Sequence, residues 1–205
     1  MQTRPSAFVP GAGARNVTET SDPLKRYIEE LTLIRSGPEP FTLASGKKST
    51  FIFNLKNLFG EPEPATLVTQ RLFERLRALD FDYVTGLELG AVFPVTAVIA
   101  HSHGTDRPVR GFIIRKHAKG HGTKNRIEGL RQIPSRGKVV VIEDVTTTGN
   151  SLLDAVQVVR EAGMTVETAV TLVDREEGAR ANLRAHGVEL LAIYRKSDFL
   201  PADVV

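Results

Sequence analysis

Two adjacent acids, a hydroxyl-rich turn and a run of cations are the residues whose types and order could do chemistry. Val139-Val140-Val141-Ile142 reads as a buried strand that runs into Glu143 and Asp144, then Val145, Thr146, Thr147, Thr148, Gly149, Asn150 and Ser151. At the carboxyl end of a central parallel strand, loops face the ligand crevice, so the two carboxylates would project into it side by side. Vicinal carboxylates suit vicinal hydroxyls such as those of a ribose, through charge-assisted hydrogen bonds, and can orient waters around Mg2+. The turn would wrap the start of a helix, where free amides and the positive dipole end hold a phosphate and Gly149 lets the backbone come close. It is not a Walker loop, because the Gly-Lys-[Ser/Thr] ending is missing. An acidic pair alone could simply end a strand in solvent before a Thr-capped helix. The combination of apolar run, two acids, Thr-rich turn, Gly and Ser favours a ligand.

The cations cluster between Arg107 and Arg136, where Glu128 is the only acid. That pattern points to a local anion site. Nucleic acid is the competing explanation, but the stretch has a single aromatic, Phe112, and no DNA- or RNA-binding motif, so no nucleic-acid partner is expected. The chain has no cysteine, which excludes thiol nucleophiles, thiolate metal sites and disulfides and leads us to expect the cytoplasm. His101, His103, His117, His121 and His186 match no metal-ligand spacing, and Ser151 belongs to the phosphate turn rather than to a catalytic triad. Apolar runs such as Val92–Ala100, interrupted by Pro94 and Thr96, are too short to span a bilayer, so no membrane association is expected.

These groups need a scaffold. With 205 residues, 41% hydrophobic and 25% charged, the chain can close one substantial core, and its net charge is +3. Residues 1–21, interrupted by Pro5, Pro10, Gly11, Gly13 and Arg15, read as a mobile arm, and residues 22–205 as a single domain. Asp22-Pro23 with Leu24, Tyr27, Ile28, Leu31 and Ile34 predicts a capped helix that stops at Gly37-Pro38. Phe41–Leu43 and Phe51–Leu55 read as two short strands around a polar turn, and Pro64 opens an amphipathic helix. From Tyr83 onward short apolar strands alternate with helices: strands at 83–85, 109–115, 139–142, 166–173 and 190–194, helices to about His103, over 151–161 and over 178–186. Residues 116–128 form a long polar, cation-rich loop between two of these strands. The alternation predicts an α/β fold with a parallel sheet of about five strands flanked by helices.

Set side by side, these segments resemble a known family. "VVVIEDVTTTGNS" at 139–151 is similar to the phosphoribosyl pyrophosphate motif of the type I phosphoribosyltransferases. The resemblance implies that Glu143 and Asp144 contact the ribose hydroxyls and that Thr146 to Ser151 hold the 5-phosphate, with Val145 also in the phosphoribosyl pyrophosphate site. "FTLASGKKSTFIFNLK" at 41–56 resembles the amino-terminal signature of the orotate enzymes. It implies a small hood, residues 22–60 over a core of 61–205, with Ala44, Ser45 and Phe53 lining the pyrimidine pocket beside Thr147. Phe41, Phe51 and Phe53 also alternate as core residues would. "IRKHAKGHGTKNRIEG" at 114–129 resembles those enzymes' catalytic loop and matches Arg115, Lys116, Lys119 and His121. The resemblance implies Lys119 and His121, with Asp144, as the catalytic groups and a homodimer with shared sites. "VDREEGA" at 173–179 resembles the strand end where an arginine, here Arg175, meets the carboxylate of orotate. A surface ion pair with Asp174 or Glu176 is its plain alternative.

The expected activity is therefore conversion of orotate and phosphoribosyl pyrophosphate to orotidine 5'-monophosphate and pyrophosphate. Mg2+ would enter with the substrate and stay near Glu143 and Asp144 without a direct protein ligand. Two departures stand out: the lysines that some orotate enzymes carry within the loop here written Gly86–Ala91 and at the position of Ala44 are absent. A phosphoribosyltransferase for another base is the nearer alternative. A non-catalytic regulator that binds phosphoribosyl pyrophosphate is the more distant one.

Overall fold

The computed structural model describes residues 22–42, 46, 48–118, 126–201 and 204. Helix α1 (Pro23–Leu31) is followed by the short strands β1 (Leu33–Arg35), β2 (Phe41–Thr42), β3 (Lys48–Ser49) and β4 (Phe51–Phe53), and by a 3-10 turn at Leu55–Gly60. Then come α2 (Pro62–Arg77), β5 (Tyr83–Thr85), α3 (Val92–Ser102), β6 (Arg110–Gly111), β7 (Ile113–Ile114) and β8 (Ile127–Glu128). The chain continues as β9 (Lys138–Thr146), α4 (Asn150–Glu161), β10 (Thr165–Asp174), α5 (Ala179–Ala185) and β11 (Glu189–Arg195).

Five strands form one parallel sheet in the order β11-β10-β9-β5-β6. From β5 the chain steps outward to β6, and from β9 it steps outward the other way, so the order reverses between β5 and β9. Ligands of open α/β sheets bind at the carboxyl ends of the strands at such a reversal. The loops that leave β5 and β9 there are residues 86–91 and 147–149.

Strand alternation divides the core between the two faces. Val140 and Ile142 join Val84, Val170 and Leu172 under α1, α2 and α3, whereas Val139 and Val141 join Ala169 and Leu190 under α4 and α5. Leu24, Ile28, Phe51, Leu55 and Leu58 belong to the first cluster, so the amino-terminal segment is packed on the sheet rather than hung beside it. Among the described residues no helix is long and apolar enough to cross a membrane.

Four sequence expectations are corrected. The first helix ends at Leu31 instead of running to Gly37-Pro38. The Thr32 hydroxyl bonds back to the Ile28 carbonyl at 2.7 Å, Asn57 takes the Leu31 carbonyl at 2.9 Å, and Leu33–Arg35 turns into a strand. That strand pairs antiparallel with Phe51–Phe53, while Phe41–Thr42 pairs with Lys48–Ser49, so the expected pairing of 41–43 with 51–55 does not form. The strand expected at 109–115 breaks at buried Phe112, and Ile113–Ile114 pairs instead with Ile127–Glu128. The strand expected to stop at Ile142 continues to Thr146, with Glu143 in register against Thr171, because β10 carries the ladder on to Thr146.

Asp22 joins α1 to the sheet. Its carboxylate accepts the Leu24 amide at 3.1 Å and the Tyr194 hydroxyl at 2.7 Å, with Arg71 at 3.3 Å. Burial acts to raise the Asp22 carboxyl, but the Tyr194 hydroxyl, the Arg71 charge and the amides of Lys25 and Leu24 together hold it below its ordinary value. Losing a helix cap and a charge-assisted bond predicts that Asp22→Ala costs about 2–3 kcal/mol, a fall in Tm of roughly 5–10 °C by thermal melt. A depressed carboxyl contributes stability above its unfolded value and loses it as pH falls through the folded one. The gap between the two proteins should therefore close in acid, and a gap unchanged down to strongly acidic pH would refute the assignment.

Candidate functional site

Glu143 and Asp144 are each only 7% exposed, within β9 and not beyond it. Alternation sends Glu143 toward α4 and Asp144 toward the amino-terminal turn. Their carboxylates nonetheless converge on Gly90 of the facing loop: a Cβ there would overlap Asp144 Oδ1 and come within 2.8 Å of Glu143 Oε1. A glycine is what lets the loop backbone reach both acids. The Asp144 amide lies 3.3 Å from Glu143 Oε1, and the Val145 amide donates to Asp144 Oδ1 at 2.8 Å. Burial, and then the negative charge of Asp144 beside it, push the Glu143 carboxyl well above the ordinary range. Ionising both acids together is therefore costly.

Two cavities meet at this pair. One, of about 200 Å3, is lined by Glu143 and by Val145 through Leu152, the turn into α4. Gly149 sits at φ +84° with Ala179 packed at 3.4 Å from where its Cβ would be, and Asn182 from α5 donates to the Thr148 carbonyl at 2.8 Å. The turn is thus braced from behind while its amides and the amino terminus of α4 face the cavity, an arrangement suited to a phosphate. Thr146 lines this cavity, but its hydroxyl donates to Thr171 at 3.0 Å between strands, while Thr147 and Thr148 are half-buried.

The other cavity, of about 270 Å3, is lined by Lys56, Leu87, Glu88, Leu89, Gly90, Lys116, Glu143, Asp144, Val145 and Ser151. It shares Glu143, Val145 and Ser151 with the first, so the two adjoin at Glu143. A ligand with an anionic group at each end and hydroxyls between them fits this division.

Arg175 follows the last residue of β10, and its amide donates to the Thr146 carbonyl at 2.8 Å, which fixes it beside the Thr turn. It is 4% exposed. Its guanidinium lies 4.4 Å over the Phe51 ring and donates to Ser49 Oγ at 3.0 Å. Its Nε is 2.8 Å from Glu177 Oε1, close enough for an ion pair but off the N–H axis, so that buried donor makes no hydrogen bond. The ion pair weighed from sequence was with Asp174 or Glu176. Structure shows Glu177, and Arg175 is buried rather than on the surface.

The other expected residues fall in several places. Phe53 is 8% exposed and packs edge-on against Phe51 and Phe199, within the core rather than along either cavity. Arg115 turns to Glu128 at 3.8 Å and to the His117 carbonyl. Lys116 lines the second cavity, with its amide held by Glu88 Oε1 at 2.9 Å. Ala44, Ser45, Lys119 and His121 lie outside the described residues. Among the described residues no three His, Asp, Glu or Cys side chains converge on a metal-sized point. The two carboxylates lining the second cavity suit a divalent ion that takes its oxygens from a phosphorylated substrate and from waters oriented by Glu143 and Asp144.

Sequence reading missed three contributors. Lys56 places Nζ 3.7 Å from Asp144 Oδ2; its signal was a lone cation inside the apolar Leu55–Phe59 stretch. Glu88 ties the 86–91 loop to Lys116. Arg126 forks onto Asp154 of α4 at 2.8 and 2.5 Å and returns its Nε to the Arg115 carbonyl at 2.7 Å, joining the stem of the cationic segment to the helix behind the Thr turn. These last two are contacts between distant segments and had no local signature.

Comparison with known proteins agrees with this geometry. The phosphoribosyl transferase domain model matches residues 65–193. The orotate phosphoribosyltransferase of Bradyrhizobium sp. strain BTAi1 is 45% identical over 177 residues, 85% of this chain and 96% of that protein. The Methanosarcina mazei protein of the same name is 41% identical over 160 residues, 78% of this chain and 82% of that one. The crystal structure of Mycobacterium tuberculosis H37Rv orotate phosphoribosyltransferase in complex with 5-phospho-alpha-D-ribosyl 1-diphosphate superposes with a TM-score of 0.68 at 29% identity. It covers 86% of this chain and 96% of that one.

Proposed function

Because the chain belongs to the orotate phosphoribosyltransferases, within the phosphoribosyl transferase domain family, we propose a residue-level account of how its site performs that reaction. The enzyme joins orotate to phosphoribosyl pyrophosphate, forming orotidine 5'-monophosphate and pyrophosphate in UMP synthesis. The single observation that carries the account is the pair of cavities that adjoin at Glu143, with Asp144 lining the second. The 5-phosphate seats in the Thr147–Ser151 turn, the ribose hydroxyls bond to the two acids, and the diphosphate lies in the cavity under residues 87–90.

The orotate ring nitrogen attacks the anomeric carbon as its bond to the diphosphate oxygen breaks, so no protein nucleophile is needed. Arg175 grips the orotate carboxylate and aims the ring. Lys119 and His121 are assigned to the charge that gathers on the departing diphosphate, and Lys116 lines the same cavity. Mg2+, when bound with substrate, neutralises diphosphate charge. Glu143 and Asp144 hold the waters around it. The test is pyrophosphate release from phosphoribosyl pyrophosphate and Mg2+ with orotate, uracil or hypoxanthine. Turnover with orotate alone supports the account, turnover with another base removes the role of Arg175, and binding without turnover leaves a regulator.

The same account takes the enzyme as a homodimer. Supporting it, Leu89, which lines the diphosphate cavity, is 58% exposed, and Phe93 at the start of α3 is 38% exposed and stacked on Phe59 at 5.8 Å. Exposed apolar groups beside a site are suited to burial by a second copy. Phe93→Asp should give monomers by light scattering and reduce kcat by about tenfold or more, since a charge buried in such a contact costs several kcal/mol. A dimer of unchanged strength would place the interface elsewhere.

A further inference from the structure

The cavity under residues 87–90 poses a charge problem. Glu143 and Asp144 already repel each other there, and a diphosphate adds further negative charge within a few ångströms. Like charges gathered that closely away from bulk water repel strongly, so the wall must supply cations. The loop itself cannot: residues 86–91 contain no basic side chain, and Gly90 has no room for even a Cβ against the acids. Among the residues lining the cavity the cations are Lys116 and Lys56. They come from distant segments of the chain and differ in anchoring.

Lys116 is exposed and follows β7 into the cationic segment. Lys56 stands in the 3-10 turn Leu55–Gly60, whose Leu55 and Leu58 are fully buried, so its backbone is fixed to the core. Its side chain keeps 39% of its surface and approaches Asp144 Oδ2 at 3.7 Å, a Coulombic contact too long for a hydrogen bond. The ammonium is held over the site with its donors unspent at that contact.

We propose that Lys56 is a substrate-contacting residue: it balances Asp144 in the free enzyme and donates to a diphosphate oxygen of the bound sugar phosphate, in the cavity that Lys116 also lines. The proposal rests on the diphosphate placement given above. It also accounts for a loop that approaches the acids through backbone alone, since the cation comes from the amino-terminal turn.

Inorganic pyrophosphate with Mg2+, followed by calorimetry on the whole enzyme, reads this contact without any base present. Lys56→Met should raise the Kd for pyrophosphate and the KM for phosphoribosyl pyrophosphate by about tenfold or more, the loss of one charged hydrogen bond, and leave the KM for orotate within twofold. Lys56→Arg should recover most of the loss. In an Asp144→Asn background Lys56→Met should still weaken pyrophosphate, whereas a lysine that serves only Asp144 would have no further effect there. Lys56→Gln, with a melting curve for each variant, separates loss of contact from loss of fold. Pyrophosphate affinity within twofold of wild type in Lys56→Met and Lys56→Gln overturns the proposal, as does a loss that vanishes in the Asp144→Asn background. Weakened pyrophosphate binding without orotate turnover would retire orotate as the base and leave Lys56 in place.

Discussion

Glu143→Gln is expected to give a protein that is more stable at neutral pH and an enzyme weaker by about 10- to 100-fold in kcat/KM for phosphoribosyl pyrophosphate. Both effects have one source. Glu143 is buried beside Asp144, and its carboxyl is raised by burial first and by the neighbouring charge second. A raised carboxyl binds its proton more tightly folded than unfolded. Stability therefore falls as pH rises from the ordinary glutamate value through the folded one, and the loss is complete above it. Glutamine removes that loss and keeps an acceptor for the Asp144 amide, which lies 3.3 Å from Glu143 Oε1. Each kcal/mol regained should raise Tm by about 2–4 °C in a chain of this size. The activity falls because a neutral amide loses the charge-assisted bond to a ribose hydroxyl and half of the pair that holds water around Mg2+. Melting curves across pH and initial rates against phosphoribosyl pyrophosphate read the two arms. A Tm below wild type at pH 8 would show that the carboxylate is satisfied in the free protein, and undiminished kcat/KM would take Glu143 out of the ribose site.

The parts of this site visible in the sequence are those carried by one continuous segment. The run from Val139 to Ser151 encodes strand, acids and phosphate turn in order, and the structure places them in that order. Its one misreading was to end the strand at Ile142, because acids read as a strand terminus when their cover is not in view. That cover is the glycine loop at residue 90, about fifty residues away in the chain. The amino-terminal region misled for a related reason. Ile34 fits a helical stripe and a strand equally well, and what decides is the partner strand at Phe51–Phe53. Lys56 shows the limit most clearly. A lysine in an amphipathic stretch reads as a solvated charge, and only the packing of Leu55 and Leu58 aims it at Asp144.

Arg175→Gln should raise the KM for orotate by about 100-fold while the KM for phosphoribosyl pyrophosphate moves only a few-fold. A planar fork on a carboxylate, removed from water, contributes about 2–4 kcal/mol, and the nearby Lys48 spends its ammonium on the Thr42 hydroxyl. The free enzyme already shows how the side chain is kept ready. Phe51 supports one face at 4.4 Å, Ser49 takes one donor at 3.0 Å, and Glu177 holds the charge at 2.8 Å without accepting along the Nε–H axis. A guanidinium has five N–H donors, so several remain for a ligand. Uracil, which lacks the carboxylate, should be used no better and no worse by the variant, so the preference for orotate collapses by the same factor as its KM rises. Arg175→Lys should recover little, because a point charge cannot make two parallel bonds and no longer stacks on Phe51. Removing the arginine also strands Glu177, and a modest fall in Tm is expected with the loss of orotate affinity. Unaltered selectivity between orotate and uracil in Arg175→Gln, in a protein that still melts cooperatively, would reduce Arg175 to a buried clamp between the amino-terminal turn and β10.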